Sequence, residues 1–185
     1  LACVSLEADG NRDFSFYRKP SADMLFSKDA LKADWFKDAY ALHFCSVDLV
    51  PSPMRQAHVT AIDMALEENA IISFDPNVRF PLWEDHDALR KTILEFIPKA
   101  HILKISDEEL EFITGCREIT AAAKQLFTGN VALVIYTMGS GGAVCMTRKA
   151  SAQVPSRKVK AVDTTGAGDG FIGSFLYQLY RDGVD

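Results

Sequence analysis

Val162-Asp163-Thr164-Thr165-Gly166-Ala167-Gly168-Asp169-Gly170-Phe171 crowds small residues around one carboxylate, directly before an amphipathic pattern. From there Phe171, Ile172, Phe175, Leu176, Leu179 and Tyr180 fall on one helical stripe. Arg181 lies in the last turn and Gly183 suits a C-terminal cap. The spacing therefore predicts a buried helix whose N-terminal turn is Gly166 to Asp169. Free backbone N–H groups and the helix dipole make such a turn an anion site, and glycine lets a phosphate come close. An anion hole beside a carboxylate suits transfer of a phosphoryl group to a hydroxyl. The donors stabilise charge on the moving group, and Asp169 takes the hydroxyl proton. A plain helix cap, with Asp169 accepting from backbone donors, is the structural alternative.

The rest of the chain narrows the class. Its 185 residues, 48% hydrophobic and 24% charged, fit one globular domain with a full core. A formal charge of −5 argues against a nucleic-acid partner. No uninterrupted apolar run approaches membrane-spanning length, so no membrane partner is expected. Cys3, Cys45, Cys116 and Cys145 are scattered, as are His43, His58, His86 and His101, which leaves no metal or redox motif. Buried free thiols in a reducing, cytoplasmic compartment are the expectation. The chain opens and closes inside structural patterns, and an internal fragment of a longer protein is expected.

Strand and helix alternate. Val4 to Leu6 and Phe14 to Tyr17 are β-prone runs around an Asp9-Gly10 turn, which predicts a hairpin. Ser27 to Tyr40 reads as a helix and Ala41 to Cys45 as a buried strand. Ser52-Pro53 opens a helix. Strands follow at Ala70 to Phe74, Ala100 to Ile105, Val131 to Thr137 and Ala143 to Thr147. Helices are expected around Leu89 to Ile97, Asp107 to Ile113 and Glu118 to Phe127. This order implies βαβ units and a mostly parallel, doubly wound α/β sheet, with ligands beyond the carboxyl ends of its strands. Three further motifs sit there. Thr137-Met138-Gly139-Ser140-Gly141-Gly142 is by local rules a strand-to-strand turn, with glycines that also free the backbone to approach a ligand. Ser106-Asp107-Glu108-Glu109 reads as a capping box. Asp75-Pro76-Asn77-Val78-Arg79 reads as a loop whose Asp and Asn bond their own backbone, with Arg79 available for a bidentate anion contact.

Asp-Thr-Thr-Gly-Ala-Gly-Asp-Gly-Phe over residues 163–171 resembles the second signature of the PfkB (ribokinase-like) family of sugar and nucleoside kinases. The resemblance makes Asp169 the catalytic base and Gly166, Ala167 and Gly168 the anion hole. Thr137, Gly139 and Gly142 match the family's Thr-x-Gly-x-x-Gly loop, which together with Gly168 implies ATP contacts. Glu109 matches the Glu of the family's Asn-x-x-Glu motif, which implies an indirect, water-mediated role at Mg²⁺; Ser106 stands in place of the Asn. Residues 75–79 resemble the fructokinase and 2-keto-3-deoxygluconate kinase branch, and residues 16–23 resemble the segment after the lid hairpin of bacterial fructokinases. On that basis Arg18, Asn77 and Arg79 join Asp169 as expected sugar-side residues. Gly170 replaces a common Ala, and the family's Gly-rich first signature has no counterpart here.

The implied fold is ribokinase-like, with residues 1–20 as lid hairpin and return, residues 27–185 as an incomplete α/β core, and helices on both sheet faces. The implied activity is ATP-dependent phosphorylation of a sugar's primary hydroxyl, fructose to fructose 6-phosphate, with ATP and Mg²⁺ as cofactors and a cytoplasmic, homodimeric parent. Another sugar or sugar-acid kinase of the family, and a non-catalytic nucleotide- or sugar-binding fragment, are the alternatives.

Overall fold

The computed structural model describes residues 2–6, 12–18, 20–160 and 163–184. Its frame is a mixed six-stranded sheet. In chain order come β1 (Ala2–Leu6), β2 (Arg12–Phe16), α1 (Ala22–Leu25), β3 (Ala41–Cys45), α2 (Pro53–Glu67), β4 (Ile71–Asp75), α3 (His86–Phe96), β5 (Ile102–Ser106), α4 (Asp107–Thr114), α5 (Ile119–Leu126), β6 (Leu133–Thr137), β7 (Ala143–Met146), β8 (Ser151–Val154) and α6 (Ala167–Arg181). The main sheet runs β3-β4-β5-β6-β7-β8, with β1 and β2 as a separate two-stranded sheet. Strands β3 to β6 pair in parallel, while β7 and β8 close the sheet antiparallel. The β1–β2 pair is the expected hairpin, registered Ala2↔Phe16 to Leu6↔Arg12; its expected Asp9-Gly10 turn lies outside the described residues. No described helix is long and apolar enough to cross a membrane.

Alternation along the strands divides the molecule into two layers. Phe44, Ile72, Phe74, Leu103, Ile105, Val134 and Tyr136 join the large core, which also takes Ile62 of α2, Leu89, Ile93 and Phe96 of α3, Leu110 and Ile113 of α4, and Ala122 and Leu126 of α5. On the opposite face Ile102 and Ile135 pack against Ile172 of α6, flanked by Phe175, Leu176 and Leu179. Full burial of an isoleucine there stabilises by roughly 1.5–3 kcal/mol. Helices therefore cover both faces, but among the described residues α6 is the one helix on its side. The C-terminal end of α6 is tied to the start of β3, where the Tyr40 hydroxyl donates to the Val184 carbonyl at 2.7 Å and the Tyr40 and Tyr180 rings meet edge-on.

Two sequence expectations are corrected, and one strand is new. The stripe on α6 predicts a buried helix, yet only Ile172 of it is buried, with Tyr177 and Tyr180 about 60% exposed. With no second helix beside it on this face among the described residues, α6 buries a single row of side chains, and the flanks of its stripe meet solvent. Ser27 to Tyr40 is not one helix but two short 3₁₀ turns, Lys28–Ala30 and Ala33–Trp35, joined through extended Leu31 and Lys32. This segment crosses the large core and anchors by single side chains, chiefly Phe36, while Trp35 is left exposed. Strand β8 has no counterpart among the sequence expectations: all four of its residues are exposed, so no apolar alternation marks it.

Among the described residues β3 pairs with β4 alone, so its outer edge presents unpaired backbone groups. Such an edge templates association. The isolated 185-residue chain is therefore expected to self-associate in sedimentation velocity. A monodisperse monomer across a tenfold concentration range would contradict this.

Candidate active site

The polar residues of the α6 face gather at the carboxyl ends of the parallel strands. Register explains how. Strand β4 meets β5 with Ser73 opposite Ile102 and Phe74 opposite Leu103, so one step further brings Asp75 beside Lys104. Lys104 Nζ donates to Asp75 Oδ2 at 2.6 Å, and both side chains are more than nine-tenths buried. Asp75 Oδ1 accepts from the Asn77 backbone N–H at 3.1 Å, the self-bonded loop that Asp-Pro-Asn predicts. Asn77 sits at φ 45°, a left-handed conformation that asparagine tolerates. Burial raises the Asp75 pKa, and the Lys104 ammonium works against that rise.

Helix α6 delivers the glycine-rich turn onto this floor. Gly166 is its N-cap in left-handed conformation, φ 74°, and no side chain caps the helix. The Ala167 N–H turns back to the Thr164 carbonyl at 3.1 Å, and the Gly170 N–H closes the first turn on Gly166 at 2.8 Å. Gly168 and Asp169 occupy the positions whose N–H groups have no intrahelical acceptor. Among the described residues the Asp169 carboxylate has no hydrogen bond to a backbone N–H of this turn.

Two cavities meet at this turn. One, of about 550 Å³, is lined by Lys104, Thr137, Gly139, Gly142, Ala167 and Gly168 together with residues including Val154, Pro155, Phe171 and Phe175. The other, of about 280 Å³, is lined by His43, Phe44, Cys45, Asp48, His58, Asp75, Asn77 and Asp169. The Gly168–Asp169 peptide and the Asp75–Lys104 pair are the partition between them.

The Gly139 loop is both a turn and a wall. It connects antiparallel β6 and β7 with Thr137 opposite Ala143, and closes on itself through Met138 N–H to the Gly142 carbonyl at 2.9 Å. Gly142 has φ 91°, and a Cβ there would collide with the Val154 carbonyl oxygen. Only glycine lets this loop and the end of β8 wall the larger cavity together.

Other expected residues reach the site indirectly. Arg18 lines neither cavity: it donates to the Val47 carbonyl at 2.9 Å, pairs with Asp23, and pairs with Asp48 at 2.6 Å. It thereby holds Asp48, a wall of the smaller cavity. Burial raises the Asp48 pKa, opposed by the Arg18 charge. Arg79 also lies outside both linings, and its guanidinium donates to the Val78 carbonyl at 3.0 Å. Glu109 forms the expected capping box, with Oε2 on the Ser106 N–H at 2.9 Å. Its Oε1 accepts from the Val78 N–H at 2.7 Å, which pins the Asn77 loop to the start of α4. Among the described residues no group of three or more His, Cys, Asp or Glu forms a metal cage. Glu109 still retains a lone pair on each oxygen for a bound water, which fits a water-mediated place beside Mg²⁺, an ion that usually keeps its waters and takes phosphate oxygens.

Sequence reasoning missed His43, Asp48 and Lys104. The signal available for Lys104 was parity: it shares the inward period of Ile102 and Ser106 in an otherwise apolar strand. Cys45 is a third kind of residue here, inert by environment. Burial, aided by Asp48, Asp75 and Asp169, pushes its thiol up to about 11. Thiolate is the reactive form, so at pH 7 iodoacetamide is expected to label exposed Cys3 well before Cys45. Peptide mass mapping checks this, and faster labelling at Cys45 would contradict it.

Comparison with known proteins points the same way. The profile of the pfkB family carbohydrate kinases matches residues 1–184. A probable fructokinase-2 of Arabidopsis thaliana is 43% identical over 98% of this chain and 56% of its own length. The structure of a Xylella fastidiosa fructokinase with bound ATP superposes with a TM-score of 0.88 at 32% identity, over 97% of this chain and 56% of that one. A Vibrio cholerae O395 fructokinase in a form with bound fructose, ADP and calcium ion gives 0.83 at 34% identity, over 96% of this chain and 58% of that one. The chain thus spans about half the length of the relatives it matches. With the profile matched across residues 1–184 and the ribokinase-like layers in place around the α6 turn, the chain belongs to the pfkB family of carbohydrate kinases.

Proposed function

We propose that a full-length protein carrying this chain is an ATP-dependent fructokinase that phosphorylates the C6 hydroxyl of fructose. The observation that carries the reading is the junction of two cavities at one helix N-terminus, with Asp169 facing one and Gly168 the other. The apolar side of the larger cavity suits an adenine ring, and its glycine-lined side suits the phosphates. The smaller, polar cavity suits a sugar. In this reading Asp169 accepts the hydroxyl proton as the oxygen attacks the terminal phosphorus, and ADP departs into the larger cavity. The N–H groups of the Gly166–Gly168 turn hold charge that grows on the transferring group. Asn77 contacts the sugar directly, whereas Arg18 acts by fixing Asp48, and Arg79 by bracing the loop that carries Asn77. Mg²⁺, when bound, would supply neutralisation of phosphate charge, and Glu109 would hold it through a water. The β1–β2 hairpin serves as the lid of the sugar cavity. Four free cysteines fit a cytoplasmic enzyme, and a homodimeric parent completes the proposal.

The test is a coupled ADP-release assay on the full-length protein with fructose, ribose and 2-keto-3-deoxygluconate. Fructose is expected to give the highest kcat/KM, and phosphate is expected at C6 by NMR. Preference for the sugar acid would move the assignment within the family, and no turnover with any sugar would leave the fold as a binding module.

A further inference from the structure

The smaller cavity is rich in acceptors and carries unbalanced negative charge. Among the described residues its lining includes three carboxylates, Asp48, Asp75 and Asp169, and no lysine or arginine. Asp75 is answered from behind by Lys104 at 2.6 Å. Asp48 is answered only in part. Its Oδ1 takes Arg18 Nη2 at 2.6 Å, but the same nitrogen also meets Asp23, so one guanidinium faces two carboxylates. That cluster leaves net negative charge on the cavity wall. His58 adds an acceptor by a separate route. Its Nδ1 lies 3.0 Å from the Met54 carbonyl oxygen, which can only accept. Nδ1 therefore carries the proton, and Nε2 of the neutral ring is an acceptor. A wall of this kind favours a ligand that brings donors and opposes one that brings negative charge. Which part of the sugar meets it follows from the chemistry: the C6 hydroxyl goes to Asp169, so the C1 end is turned to the remaining walls.

We propose that Asp48 is a specificity-determining residue that reads the substituent at C1 of the sugar, accepting a hydroxymethyl or a protonated aminomethyl group and refusing a carboxylate. The inference rests on the fructokinase reading of the smaller cavity and names the substrate class that cavity admits. The reaction itself is unchanged: the C6 oxygen attacks the terminal phosphorus, its proton passes to Asp169, and ADP leaves. Arg18 is the positioning residue. Its second nitrogen is tied to the Val47 carbonyl at 2.9 Å, one residue before Asp48, so the guanidinium fixes both the backbone and the side chain of this wall.

Three sugars that differ only at C1 test this: fructose, 1-amino-1-deoxyfructose and 2-ketogluconate, which carry a hydroxymethyl, a protonated aminomethyl and a carboxylate there. Coupled ADP-release assays and calorimetry at pH 7 compare full-length wild type, Asp48→Asn and Asp48→Glu. In wild type the amino sugar is expected to bind about 100-fold more tightly than the acid. Asp48→Asn keeps the shape and removes the charge. It is expected to shrink that ratio about tenfold and to raise the fructose KM about threefold, with kcat and ATP-analogue affinity retained. Asp48→Glu is expected to recover most of the ratio. A merely structural Asp48 would move all three sugars alike. Arg18 keeps Asp23 and the Val47 carbonyl in the Asn variant, so its Tm is expected near wild type. If that variant fails to fold, the double variant Arg18→Gln with Asp48→Asn supplies the same comparison without the ion pair. A ratio unchanged by loss of the Asp48 charge, or a wild type that binds the three sugars alike, overturns the proposal. A wild type that ranks the sugars as expected but phosphorylates none overturns the kinase reading and leaves the C1 selection standing. A wild type that binds none of them overturns both.

Discussion

Asp169→Asn in the full-length protein is expected to lower kcat by roughly 10²–10⁴-fold, the range for a positioned general acid or base. The substitution is nearly isosteric. Among the described residues the Asp169 carboxylate makes no hydrogen bond that its loss would break, and it is exposed at the helix start. The structural cost is limited to one favourable charge at the α6 N-terminus, about 0.3–1 kcal/mol. Nucleotide affinity and Tm should therefore hold while turnover collapses. Stopped coupled assays and calorimetry on the same preparation measure both. Near-normal kcat in the variant would remove Asp169 from the chemistry.

Gly168→Val is expected to abolish measurable turnover and weaken ATP-analogue binding by about 10–100-fold, since charge-assisted bonds to phosphate are lost. The fold should survive. A Cβ at this position meets the Lys104 ammonium at ordinary contact distance, 3.5 Å, and valine is a better helix former than glycine. The damage is confined to the cavity, where a branched side chain covers donors that must meet a phosphate. A variant with lower Tm and unchanged nucleotide affinity would return the turn to a purely structural role.

What the sequence made legible was local. The glycines of residues 166–168 and the apolar stripe after them specify a helix with an open N-terminus whatever the rest of the chain does. Ser106 and Glu109 form a capping box because its parts lie three residues apart. Parallel strands β3 to β6 followed from apolar runs alternating with helices. What was not legible depends on register and on neighbours. Asp75 and Lys104 are 29 residues apart and meet only once β4 and β5 are aligned. Arg18 reaches Asp48 across 30 residues, so its link to the smaller cavity runs through a partner that no local pattern announces. The exposure of α6 follows from its having no helical neighbour on its sheet face among the described residues, which periodicity within one helix does not encode. The segment over Ser27 to Tyr40 carries helical spacing, yet docking by isolated side chains overrode it.

The junction of the two cavities is the centre of this account, and its most direct test is the structure of the full-length protein with fructose and ADP bound. The sugar is expected in the cavity of His43, Asn77 and Asp169, with its C6 hydroxyl about 2.6–3.2 Å from the Asp169 carboxylate. The diphosphate is expected along the Gly139 loop, with its terminal end at the Gly168 N–H. Fructose bound instead in the separate cavity lined by Arg18, Trp83 and Asp85, away from Asp169, would contradict the account.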